Sequence, residues 1–75
     1  MKKIYNDYTN NRHKVFICSP SFTEIPNHLN KLDFDFSYCI MEDGIIIDTA
    51  IQMIPEIVKK LVEENIAIYQ IYKVE

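Results

Sequence analysis

Residues Thr23 to Leu32 (TEIPNHLNKL) align without a gap on Gln52 to Leu61 (QMIPEIVKKL), sharing Ile-Pro and Lys-Leu at the same offsets. Each copy follows an apolar run, and carried upstream the offset lays Phe16-Ile17-Cys18 over Ile45-Ile46-Ile47. The chain therefore reads as two strand–helix–strand halves. Its 75 residues leave room for one domain. A chain of that length hides roughly 60% of its unfolded surface, so both halves must share one core.

The local signals fill in this frame. Residues 1–12 are polar and aperiodic and read as a linker or loose N-terminal arm, with the domain at residues 13–75. Val15-Phe16-Ile17-Cys18 is a β-rich run stopped by Ser19-Pro20. A helix of about ten residues follows, with Thr23 as its cap, Pro26 in its first turn, and Ile25, Leu29 and Leu32 as its apolar stripe. Phe36, Tyr38 and Ile40 alternate with Ser37, Cys39 and Met41, the period of a strand with two unlike faces. Glu42-Asp43-Gly44 closes that strand as a hairpin in which Asp-Gly supplies positive backbone angles, and Ile45-Ile46-Ile47 is its partner. Ile54, Ile57, Val58, Leu61 and Val62 form the stripe of a second helix, on which Glu56 can pair with Lys60. Asn65 ends that helix in left-handed geometry, and Ile66 to Tyr72 reads as the last strand.

Two right-handed crossovers in the order βαββαβ interleave into a four-stranded antiparallel sheet with both helices on one face. This is the α+β ferredoxin-like arrangement. Its other sheet face is left open. Bulk favours Phe36, Tyr38 and Ile40 as core, which turns Ser37, Cys39 and Met41 toward the open side as the candidate interaction face. In the last strand, Tyr69 and Ile71 oppose Ile68, Gln70 and Tyr72, and either set can face the helices.

The residue types exclude much chemistry. Gly44 is the only glycine, so a Gly-rich phosphate loop cannot be built. A net charge of −3 lacks the cationic surplus that generic nucleic-acid affinity needs. Strand aromatics such as Tyr38 and Tyr72 suggest a base-stacking sheet, but the third strand, where such sheets place aromatics, reads Ile45-Ile46-Ile47. Cys18 and Cys39 read as buried thiols of a reducing compartment, and a C-x-x-C metal motif from Cys18 is broken at Ser21. Cys18 or Ser19 with His13 or His28 lacks the orienting group of a catalytic triad. Asp33, Asp35, Glu42 and Asp43 lack the spacing of a Ca²⁺ loop and read as solvated loop charge. No cofactor or metal is expected. The chain has no twenty-residue apolar span and no apolar segment behind Lys2-Lys3, so no direct membrane insertion is expected.

Ile54-Pro55-Glu56-Ile57 followed by Leu61-Val62-Glu63-Glu64-Asn65-Ile66-Ala67-Ile68-Tyr69, after the Glu42-Asp43-Gly44 hairpin, resembles a known family. It is similar to the C-terminal accessory domain behind the nucleotide-binding domain of bacterial ATP-binding-cassette (ABC) transporter ATPases of the antibiotic- and lantibiotic-export type. The likeness runs from His13 to Glu75, and departs from the family at Glu64-Asn65, where Asn-Gly is usual, and in the helical tail that often follows the last strand. The resemblance implies a piece of a longer ATPase whose Walker motifs lie upstream of Met1. It implies a non-catalytic role, packing on the ATPase body or its dimer mate, with a cytoplasmic location peripheral to the membrane through the transporter. A homodimer through the same face is a further expected partner. Two other readings stand beside it: a free-standing sensor that dimerises around a small metabolite, and an acylphosphatase-like hydrolase. The hydrolase needs an Arg in a phosphate-cradling loop, whereas Arg12, the only Arg, precedes the first strand.

Overall fold

The computed structural model describes residues 12–74. The arm expected at residues 1–12 lies outside that range apart from Arg12, which opens the first strand. The elements are β1 (Arg12–Cys18), a 3-10 turn (Phe22–Glu24) running into α1 (Ile25–Leu29), β2 (Phe36–Ile40), β3 (Gly44–Ala50), a second 3-10 turn (Ile51–Met53) running into α2 (Ile54–Glu63), and β4 (Gln70–Val74). The sheet order is β2-β3-β1-β4 and every neighbouring pair is antiparallel. Interleaving the two crossovers in this way is the ferredoxin-like α+β fold.

The repeated segments occupy equivalent corners. Each enters its helix through a 3-10 turn, and each has Ile-Pro in the first helical turn, where the missing proline N–H breaks no intrahelical bond. Neither helix start has a side-chain cap, so Thr23 does not play the expected role. Thr23 lies inside the 3-10 turn, which the Glu24 N–H closes on the Ser21 carbonyl at 3.0 Å. α1 is also shorter than its stripe predicts. Lys31 and Leu32 turn their N–H groups to the carbonyls of His28 and Leu29, three residues back, and this tightening unwinds the last expected turn. Upstream the correspondence slips: β3 runs straight into its turn while Ser19 to Ser21 separate β1 from its own, so Ile17 faces the helices and Ile46 faces away.

Antiparallel registers set the inward layer. Val15 and Ile17 of β1 lie opposite Ile47 and Ile45 of β3, and all four are buried against Ile25 and Leu29 of α1 and Ile57 and Leu61 of α2. Each such side chain contributes about 1.5–3 kcal/mol on burial, which makes this layer the main source of cohesion. Phe34 and Phe36 stack at 4.9 Å between centroids and close one end of the core. Tyr38 and Ile40 share the inward side of β2 yet remain 51% and 44% exposed, because β2 is an edge strand and the short α1 does not reach over it. Val62, expected in the α2 stripe, is also exposed. The fully buried residues of that helix are Ile57 and Leu61, with Ile54 partly buried against the same core.

Backbone geometry explains the turns. Asn65 has φ 61°, the only positive value among the described residues. The Ile66 N–H donates to the Leu61 carbonyl (2.9 Å) and the Asn65 N–H to Val62 (3.0 Å), and the Ile66 and Leu61 side chains are both buried. This is a Schellman termination with its apolar contact. The β2–β3 connection differs from expectation. Neither Asp43 nor Gly44 has a positive φ, and the Met41 N–H donates to the Gly44 carbonyl at 2.8 Å across a wider loop. Glycine is needed at position 44 for closeness: a Cβ there would overlap the Ile17 carbonyl oxygen and the Phe16 ring. The last strand starts later than the run from Ile66 predicts. Its pairing begins with the Tyr69 N–H on the Cys18 carbonyl (2.8 Å), because Ile66 is spent on the helix cap.

Candidate interaction face

The same registers sort the outward side chains into rows across the sheet. The central row is Cys39, Ile46, Phe16 and Tyr72, one from each strand. Phe16 and Tyr72 lie against each other with ring centroids 5.3 Å apart. On one flank runs the row Ser37, Asp48, Lys14 and Val74, and on the other Gly44, Cys18 and Gln70. None of the described helices covers this side. The result is an apolar band bordered by polar groups of both signs. Lys14, Ser37, Tyr38, Cys39, Ile46, Asp48 and Val74 line a shallow depression of about 420 Å³ on it.

Ser37 and Cys39 therefore stand where the sequence places them. Met41 lies beyond the end of β2 in the connecting loop and is 43% exposed. The weight of the face comes from residues that the alternation of β2 alone could not reveal: Phe16, Ile46 and Tyr72, with Lys14 and Asp48 beside them. A signal for them exists in β1, where Lys14, Phe16 and Cys18 alternate with Val15 and Ile17. Nothing similar marks Ile46 within its isoleucine run. The thiols are not both buried as expected: Cys18 is half-buried and Cys39 is exposed, since both point to the uncovered side.

Charged groups elsewhere are engaged in tying strands and helices together. Arg12 donates from Nη1 to Asp35 Oδ2 (3.0 Å), from Nε to Asp48 Oδ1 (3.3 Å) and from Nη2 to the Asp48 carbonyl (2.9 Å), stitching β1, β3 and the approach to β2. Its guanidinium is directed at carboxylates and lines no anion cradle. Thr49, fully buried, donates its hydroxyl to the Asp35 carbonyl at 3.0 Å. On α2, Lys60 pairs with Glu64 at 3.0 Å and not with Glu56 as expected, because Glu64 is folded back at the helix end. The Lys60 ammonium holds the Glu64 carboxyl below the usual glutamate range by hydrogen bonding and by charge, with smaller pulls of the same sign from Lys31 and His28.

The histidines are more enclosed than their sequence context suggests. His28 Nδ1 is buried 3.6 Å from Glu64 Oε1, and His13 Nε2 is buried without a hydrogen-bond partner among the described residues. His13 borders an apolar groove of about 360 Å³ with Val15, Ile51, Ile54, Pro55 and Lys73. Neither imidazole lies in the outward rows with Cys18, and the Ser19 hydroxyl oxygen accepts the Ser21 N–H at 3.1 Å. Among the described residues no three His, Cys, Asp or Glu side chains gather in a metal-holding group. No family model matches the chain, and no curated protein or solved structure matches it.

Proposed function

We propose that this chain is a non-catalytic accessory domain that acts through protein contacts of the sheet face turned away from its described helices. The partner proposed is the nucleotide-binding body of the parent ABC transporter ATPase, or that body's dimer mate. The observation that carries the reading is the row Cys39, Ile46, Phe16 and Tyr72: an apolar band crossing all four strands with none of the described helices over it. A band of that kind costs solvation when left uncovered and gains it back on contact. The ATPase as partner rests on the resemblance of Ile54 to Tyr69 described above.

None of the described helices is long and apolar enough to cross a membrane. In this reading any membrane association runs through the transporter, on its cytoplasmic side. The lone glycine is spent on strand closeness, so the chain itself is expected to hold no nucleotide. Calorimetric titration with Mg-ATP tests this: no saturable heat is expected, and a stoichiometric isotherm contradicts the proposal. A panel of small metabolites screened by thermal shift serves as the counterpart, since a saturable rise in Tm would favour a ligand sensor instead.

A further inference from the structure

Among the described residues β2 and β4 form the two edges of the sheet, and they differ in character. β4 carries Lys73 within its paired stretch, the kind of charge with which natural edge strands discourage a neighbour. β2, with the sequence FSYCI, has neither charge nor proline, and its Tyr38 and Ile40 are exposed along with the following Met41. A strand of this kind offers a row of outward backbone groups ready to pair. Acidic residues stand at both of its ends. Asp33 and Asp35 precede it, Glu42 and Asp43 follow it, and all four are exposed. Asp35 meets Arg12, whereas Asp33, Glu42 and Asp43 have no ion pair among the described residues.

These charges decide which occupant fits. A second copy laid antiparallel on β2 sets Asp33 and Asp35 against the partner's Glu42 and Asp43. A parallel copy sets each acidic end against its own equivalent. Both put carboxylate opposite carboxylate, which is unfavourable. A strand with basic ends turns Asp33, Glu42 and Asp43, which have no ion pair among the described residues, into attraction. We infer that β2 is the docking edge for an extended segment of a partner protein, with apolar side chains at alternate positions and Lys or Arg at both ends, which adds to the sheet as a fifth strand. Five residues at about 3.4 Å each span about 17 Å, so the basic ends of the segment lie roughly five residues apart. Its apolar side chains rest on Tyr38 and Ile40, and its backbone supplies the affinity common to strand addition. This deepens the protein-contact reading and holds whether or not the partner is an ATPase.

The probe is the peptide acetyl-KKVTVTVKK-amide, titrated into the full isotopically labelled chain at low salt and followed by amide NMR. Shifts concentrated on Phe36 to Ile40, with new exchange protection there, are expected. Binding is expected to weaken about tenfold or more when the peptide's lysines become glutamates. A similar loss is expected in the triple variant Asp33→Asn, Glu42→Gln, Asp43→Asn, which spares Asp35 and the core, and on raising salt so that the screening length falls below about 10 Å. Shifts centred on Phe16 and Ile46, equal binding of the acidic peptide, or no shifts at all would overturn the inference. So would a chain already dimeric through β2 before any peptide is added. Because the readout is the edge and the probe is not an ATPase, its failure leaves docking through the sheet face standing, and the reverse also holds.

Discussion

Gly44→Ala is expected to lower stability by about 3 kcal/mol, near the upper end for overpacking. The added methyl group overlaps two things of different kinds, the Ile17 carbonyl oxygen and the Phe16 ring. A ring can swing aside. A carbonyl in the central strand cannot, because β1 is held on both sides by β3 and β4. Shrinking the ring in Phe16→Leu should therefore rescue only part of the loss when combined with Gly44→Ala. Urea unfolding followed by far-UV circular dichroism gives both numbers. In a domain of this size each kcal/mol moves Tm by about 4–8 °C, so the effect is also plain in a melt. Tolerance of alanine within about 0.5 kcal/mol would show that the close approach of β1 and β3 is absent.

The second large effect is Ile17→Ala, with an expected loss of about 2–5 kcal/mol. Ile17 is fully buried, lies between Ile45 and Ile71 in register, and faces the helices. Total stability for 75 residues is of order 4–11 kcal/mol, so this one truncation consumes a large share of it. The informative comparison is with Ile46→Ala, which removes the same atoms from the opposite face. That side chain is only half-buried, and its loss should cost less than half as much. Equal losses at positions 17 and 46 would mean that both sheet faces are covered, which contradicts the fold described here.

How much of this was legible beforehand follows from the range of each signal. The order of elements and the single-sided helices follow from local patterns and from the duplicated Ile-Pro segment, since a crossover has only one favoured hand. Asn65 was readable because a left-handed cap needs nothing outside its own turn. Thr23 does not cap because a cap depends on where the 3-10 turn closes, which its own side chain does not reveal. Asp43-Gly44 marks a turn correctly, yet the glycine answers to a neighbouring strand, a contact invisible to any window around it. Tyr38 and Ile40 carry the alternation of core residues but lie on an edge, and edge position is a property of strand order. The open face was half visible for the same reason. Ser37 and Cys39 follow from β2 itself, whereas Ile46 belongs to a uniform isoleucine run and acquires its side only through pairing with Phe16 and Cys39.

Contact through the sheet face away from the described helices is read directly by site-specific photo-crosslinking in cells that make the protein. A benzophenone side chain at position 46 sits in the middle of the apolar row, and one at Lys59, on the exposed side of α2, serves as the reference. Crosslinks from position 46 that map by peptide sequencing to a protein with Walker motifs, with few or none from position 59, are the predicted result. Equal crosslinking from both positions, or capture only from position 59, would contradict it.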